Sequence, residues 1–151
     1  MPLSNEQFLE RFNTRTSRTG ILFGTRVLEV DQDAKRVRLS FDIGPQFCNP
    51  RGTVQGGILS ALLDEAAAHA GIISMGEAGF IVSLEFKTSF LAPASHGILF
   101  AEARCLKMGR STCFLEADLS DGDGNLLARF SSSAVPVRTK DKPVLVETDR
   151  S

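Results

Sequence analysis

The side chain best placed to do chemistry is an aspartate inside an apolar run. Asp64 lies among Ile58, Leu59, Ala61, Leu62, Leu63, Ala66, Ala67, Ala68, Ala70, Ile72 and Ile73. Aspartate is rarely buried unless it is paired or used, and burial raises a carboxyl's pKa and makes it a better base. Such a group can attack a carbonyl carbon or activate a water to do so. The reading without chemistry is that Asp64 and Glu65 form a polar stripe at the run's one exposed edge. Gly56-Gly57 opens the same run. Glycine lets a carbonyl approach the backbone closely, and N–H groups at a helix start can stabilise an oxyanion. A Gly-Gly pair also makes an ordinary tight turn. Asn49 could orient Gly56 or the carboxylate through its amide, or could simply start a turn with Pro50.

Other reactive side chains offer less. His69, one helical turn after Glu65, reads as a local polar partner, and His96 as a solvated turn residue. Cys48, Cys105 and Cys113 have no CxxC spacing and read as reduced thiols, Cys48 as a buried inert one. Two histidines without paired cysteines predict no metal site.

These groups need a helix and a sheet to hold them. Gly57–Met75 is apolar nearly all round, which predicts a buried helix wrapped by a sheet. Ser4 caps a short helix over Asn5–Thr14. Leu22–Phe41 reads as two strands joined by a turn at Asp31–Lys35, with Val37, Leu39 and Phe41 alternating against Arg36, Arg38 and Ser40. Gly44–Gly57 is a loop. Four strands follow, at Phe80–Leu91, Gly97–Lys107, Thr112–Ser120 and Leu126–Val137, with a hairpin turn at Asp121–Asn125. Strands that cluster instead of alternating with helices define an α+β class. An antiparallel sheet curled around one helix is a hotdog fold. Residues 1–19 form an N-terminal arm, 20–137 a single domain and 138–151 a polar, frayed tail.

The segment Asn49-Pro50-Arg51-Gly52-Thr53-Val54-Gln55-Gly56-Gly57, followed by Asp64, resembles the acyl-CoA thioesterases of the phenylacetate-degradation (PaaI-like) branch of the hotdog superfamily. The resemblance continues through Val82–Phe86, Leu91-Ala92-Pro93, Gly109-Arg110 and Asp123–Asn125, and spans most of Gly20–Val137. It implies Asp64 as nucleophile or general base and the Gly56 N–H as the group that polarises the thioester carbonyl, with Asn49 and Gln55 beside them. Ser83 matches a position whose hydroxyl places the water or carboxylate. Period-2 counting instead puts Ser83 on the strand face of Glu85 and Lys87, opposite Val82, Leu84 and Phe86, which favours a structural role. Gln55 stands where the family has His; it can donate a hydrogen bond but cannot titrate near neutral pH. Gly57, Pro93, Arg110 and Ser111 are the implied substrate contacts, Arg110 for the CoA phosphates. The resemblance also implies no cofactor beyond the CoA of the substrate. It further implies a homodimer or homotetramer, whose sites take the acid from one chain and the glycine loop from the other.

Bulk composition fits these expectations. The 151 residues carry a net charge of −1, with 42% hydrophobic and 23% charged. No basic excess points to nucleic acid or an anionic membrane, and the polar Met1–Glu10 is no signal peptide; a cytoplasmic protein is expected. Two other readings share the fold. A non-catalytic acyl-CoA binder is kept open by Gln55 and opposed by Asp64. A hydratase would need a histidine in the glycine loop.

Overall fold

The computed structural model describes residues 2–138 and the backbone of Val146–Glu147. The chain begins with α1 (Asn5–Thr14), β1 (Arg15–Thr16) and α2 (Arg18–Leu22), then β2 (Arg26–Asp31) and β3 (Arg36–Ile43). The central helix α3 (Gly56–Met75) precedes β4 (Gly79–Phe90), β5 (Gly97–Met108), β6 (Cys113–Ser120), β7 (Leu126–Arg138) and β8 (Val146–Glu147). Ser4 caps α1 through a reciprocal capping box with Gln7, which satisfies two end N–H groups at once. The helical turn α2 was not foreseen; Ser17 caps it by accepting a hydrogen bond from the Gly20 N–H. In the expected tail, Val146–Glu147 pairs antiparallel with Arg15–Thr16. The rest of that tail, 139–145 and 148–151, lies outside the described residues.

The main sheet is six-stranded and antiparallel, in the order β2-β3-β5-β6-β7-β4. Its concave face presents Val37, Leu39, Phe41, Leu99, Leu115, Leu119 and Phe130, all essentially without solvent contact. Against them α3 buries Leu59, Leu62, Leu63, Ala66, Ala67, Ala70 and Ile73. Each such large apolar side chain contributes roughly 1.5–3 kcal/mol when fully buried. Gly76, in the left-handed conformation at φ 73°, ends the helix.

The antiparallel sheet curls around the buried side of α3, as the sequence predicts. One face packs on the sheet, while Gly57, Ala61, Asp64, Ala68 and Ile72 keep solvent contact. A single sheet layer reaches only one side of a helix, so the second apolar side needs another cover. Phe8 and Phe12 of α1 supply part of it. By length and composition α3 could cross a membrane, but it lies against the sheet and carries Asp64, Glu65 and His69.

The two sheet edges differ. The β2 edge carries Arg26, Glu29 and Asp31. The twelve-residue β4 edge exposes Phe80, Val82, Leu84, Phe86 and Phe90, Leu84 to 61%. A long apolar edge is a template for pairing with another strand.

Candidate active site

Asp64 sits in the middle of α3, half-buried, and accepts a hydrogen bond from the Ser83 hydroxyl at 2.6 Å. Strict alternation along β4 would turn Ser83 away from the helix. The structure corrects this through a β-bulge. Ser83 lies opposite Ala134 of β7, but Glu85 lies opposite Ser133, so Leu84 is an extra residue. Opposed residues of an antiparallel pair share a face, and Ala134 faces the core at 0% exposure. Ser83 therefore faces α3. Beyond the bulge the parity flips: Phe86, Thr88 and Phe90 turn inward, opposite Ser132, Phe130 and Ala128, and Glu85 and Lys87 turn outward. Thr88 accordingly meets Ser60 of α3, hydroxyl to hydroxyl, at 2.8 Å.

The glycine loop is held by backbone bonds. The Val54 N–H donates to the Ala94 carbonyl at 2.9 Å and the Gln55 N–H to the Phe47 carbonyl at 3.0 Å. Gly56 is the first residue of α3, so its N–H has no acceptor within the helix. A Cβ at Gly56 would lie 3.1 Å from the Phe90 ring, so only glycine seats this turn against β4 undisturbed. Gly57 is open, with nothing near its would-be Cβ. Gly56 and Pro93 line one cleft of about 330 Å³ with Phe90.

The remaining candidates are more dispersed. Asn49 spends its amide on its own loop: its Oδ1 accepts from the Arg51 N–H at 3.0 Å, and its Nδ2 donates to Thr53 Oγ1 at 3.0 Å. It fixes the turn before the glycines, and its amide is spent there and not on Asp64 of the same chain. Gln55 is exposed, and its side chain gives α3 no cap. Arg110 and Ser111 are exposed at the tip of the β5–β6 turn, which the Gly109 N–H closes onto the Thr112 carbonyl.

Glu65 was not singled out from the sequence, yet it is the carboxyl whose titration burial changes most. Loss of solvent raises its pKa from 4.5 to about 7; a hydrogen bond from Thr25 Oγ1 at 3.0 Å opposes the rise and the neighbouring Asp64 charge adds to it. Burial lowers the pKa of His69, opposed by the hydrogen bond of its Nδ1 to the Glu65 carbonyl at 2.7 Å. The partners that bury Glu65 come from distant segments, so no local sequence signal marks it. Among the described residues no three His, Cys, Asp or Glu side chains gather as a metal site requires.

An antiparallel sheet packed on one long helix is also the architecture that comparison with known proteins returns. Residues 51–128 match the model of the thioesterase superfamily. The chain belongs to this superfamily. The 1,4-dihydroxy-2-naphthoyl-CoA hydrolase of Listeria monocytogenes is 25% identical over 119 residues, covering 79% of this thioesterase and 94% of that protein. A phenylacetic acid degradation-related protein of Ralstonia eutropha JMP134 superposes with a TM-score of 0.78 at 28% identity, over 85% of this chain and 98% of its own. The PaaI protein of Escherichia coli shares the fold at a TM-score of 0.73 and 19% identity, over 82% of this chain and 86% of its own. The thioesterase thus has the hotdog fold, and it is an enzyme of the thioester-hydrolase kind.

Proposed function

We propose that the enzyme hydrolyses an acyl-CoA thioester to the free acid and CoA. Asp64 acts as nucleophile or as general base, and the oxyanion donor is the Gly56 N–H of a partner subunit. The observation that carries this reading is the Ser83–Asp64 hydrogen bond, which fixes the carboxylate and leaves its second oxygen for the reaction. In the general-base route Asp64 takes a proton from water, the hydroxide adds to the carbonyl carbon, and the C–S bond breaks as the thiolate leaves. In the nucleophilic route Asp64 itself displaces the thiolate, and water cleaves the resulting anhydride. The reaction draws on water and on groups of the protein itself.

The need for a second copy follows from distance. Gly56 and Asp64 are on one helix, about 12 Å apart along its axis. An oxyanion donor must lie roughly 2.7–3.1 Å from the oxygen, so one carbonyl cannot meet both groups of one chain. The apolar β4 edge offers the partner. A two-fold axis at Phe86 sets Glu85 opposite Lys87 of the partner subunit, matching opposite charges across the seam. With the bulge carried across, Ser83 then faces Thr88 of the partner subunit. One inward position further is Phe90 of the partner subunit, with Gly56 of the partner subunit seated on its ring. Charge and chemistry thus favour the same register.

Gln55 favours a second reading, an acyl-CoA binder with negligible turnover, because it brings no titratable group to the loop. Thiol release from a panel of acyl-CoAs, corrected for the three protein cysteines, separates the two. CoA release that Asp64→Ala abolishes supports hydrolysis. Binding without release, seen as a raised Tm, supports the binder.

A further inference from the structure

A second chamber, of about 210 Å³, lies between the N-terminal arm, α3 and the start of β4. Its apolar wall includes Phe12, Ala68, Ile72 and Phe80, and its polar lining includes Glu65 and His69. Ala68 and Ile72 follow Asp64 at one-turn intervals, so the same helix stripe runs from the carboxylate into the chamber. The distance is one to two turns, roughly 5–11 Å.

The geometry points to this chamber as the seat for the far end of the acyl group, selecting a medium-length acyl chain that ends in an uncharged hydroxyl over one that ends in a methyl. This inference rests on the acyl-CoA reading above. Among the chamber's polar lining residues, Glu65 and His69 are the two that α3 contributes. The His69 Nδ1–H is committed to the Glu65 carbonyl, which leaves Nε2 as an acceptor in the neutral ring. Glu65 holds its proton to about pH 7 and can then donate. A hydroxyl both donates and accepts, so it adds a hydrogen bond to each of the pair; a methyl adds none. A carboxylate would face an acceptor nitrogen and an acid that ionises near neutrality. Arg11 and Arg15 also line the chamber, and they are the groups that would reverse this order if they governed it.

The test uses non-hydrolysable CoA thioethers, so that binding is read independently of turnover. Dissociation constants are measured for octyl-CoA, ω-hydroxyoctyl-CoA and ω-carboxyheptyl-CoA on the full chain at pH 6.5. Two satisfied neutral hydrogen bonds predict a preference of roughly five- to a hundredfold for the hydroxyl over the methyl, by the net worth of such bonds. The carboxylate should bind weakest. Glu65→Leu and His69→Leu each remove one of the two bonds, so each should lower the hydroxyl-to-methyl ratio, the second serving should the first not fold. Ala68→Phe should weaken all three long probes by filling the chamber. Equal affinities for hydroxyl and methyl in the wild type, a ratio untouched by both polar variants, or tightest binding of the carboxylate would overturn the inference. None of these outcomes depends on thiol release, so failure of the chamber and failure of the hydrolase reading stay distinguishable.

Discussion

Ser83 and Asp64 meet at 2.6 Å because one extra residue, Leu84, is inserted between two strands that are otherwise in register. Remove the bulge and the serine points away from the helix. A hydrogen bond to a charged group is worth roughly 1.5–3 kcal/mol, so Ser83→Ala should lower kcat about ten- to a hundredfold. Added to Asp64→Ala, it should cost nothing further, since the two act as a unit. Steady-state rates of the two single variants and the double variant check this; additive losses would contradict it.

That bulge also marks where sequence reasoning stops. The seven strands and helices from Arg26 to Arg138 were legible within a few residues, because alternation in β3 and β5–β7 and the apolar run of α3 are strong local signals. The Ser4 cap was legible for the same reason. No glycine or proline announces the Leu84 bulge, so counting by twos put Ser83 on the wrong face. The amide of Asn49 looked available for the carboxylate, yet the Arg51 and Thr53 backbone of its own loop uses it. Glu65 is buried by Thr25 and the N-terminal arm, forty or more residues away in sequence.

Glu65 should make stability depend on pH in a direction opposite to most carboxylates. Its folded pKa of about 7 lies above the unfolded 4.5, so the folded state binds more protons between those values. Its favourable contribution is complete below about 4.5 and is lost as pH rises through 7, up to about 3 kcal/mol in all. His69 acts the other way: its lowered pKa gives stability that is present above 6.5 and lost on acidification. Glu65→Gln keeps an acceptor for Thr25 and removes only the first effect. It should raise Tm at pH 8 relative to the wild type and leave Tm little changed at pH 4.5. A Tm series across pH checks the sign.

The proposed β4 seam makes a charge prediction. Glu85→Lys or Lys87→Glu places like charges opposite each other twice per two-fold interface. Each pair is worth roughly 0.2–1 kcal/mol, so either variant should weaken the dimer about two- to thirtyfold. The double swap should restore it. Sedimentation across a dilution series reads the constant; a double swap no better than the singles would move the axis off Phe86.

The proposed pairing of Asp64 of one chain with Gly56 of another is tested most directly by mixing lesions. Asp64→Ala and Gly56→Val chains, each inactive alone, are co-expressed and assayed for CoA release. In a heterodimer one site carries both lesions and the other carries neither, so the mixture should recover about a quarter of wild-type activity. If both groups of a site came from the same chain, every site would carry one lesion and the mixture would stay as inactive as its parts.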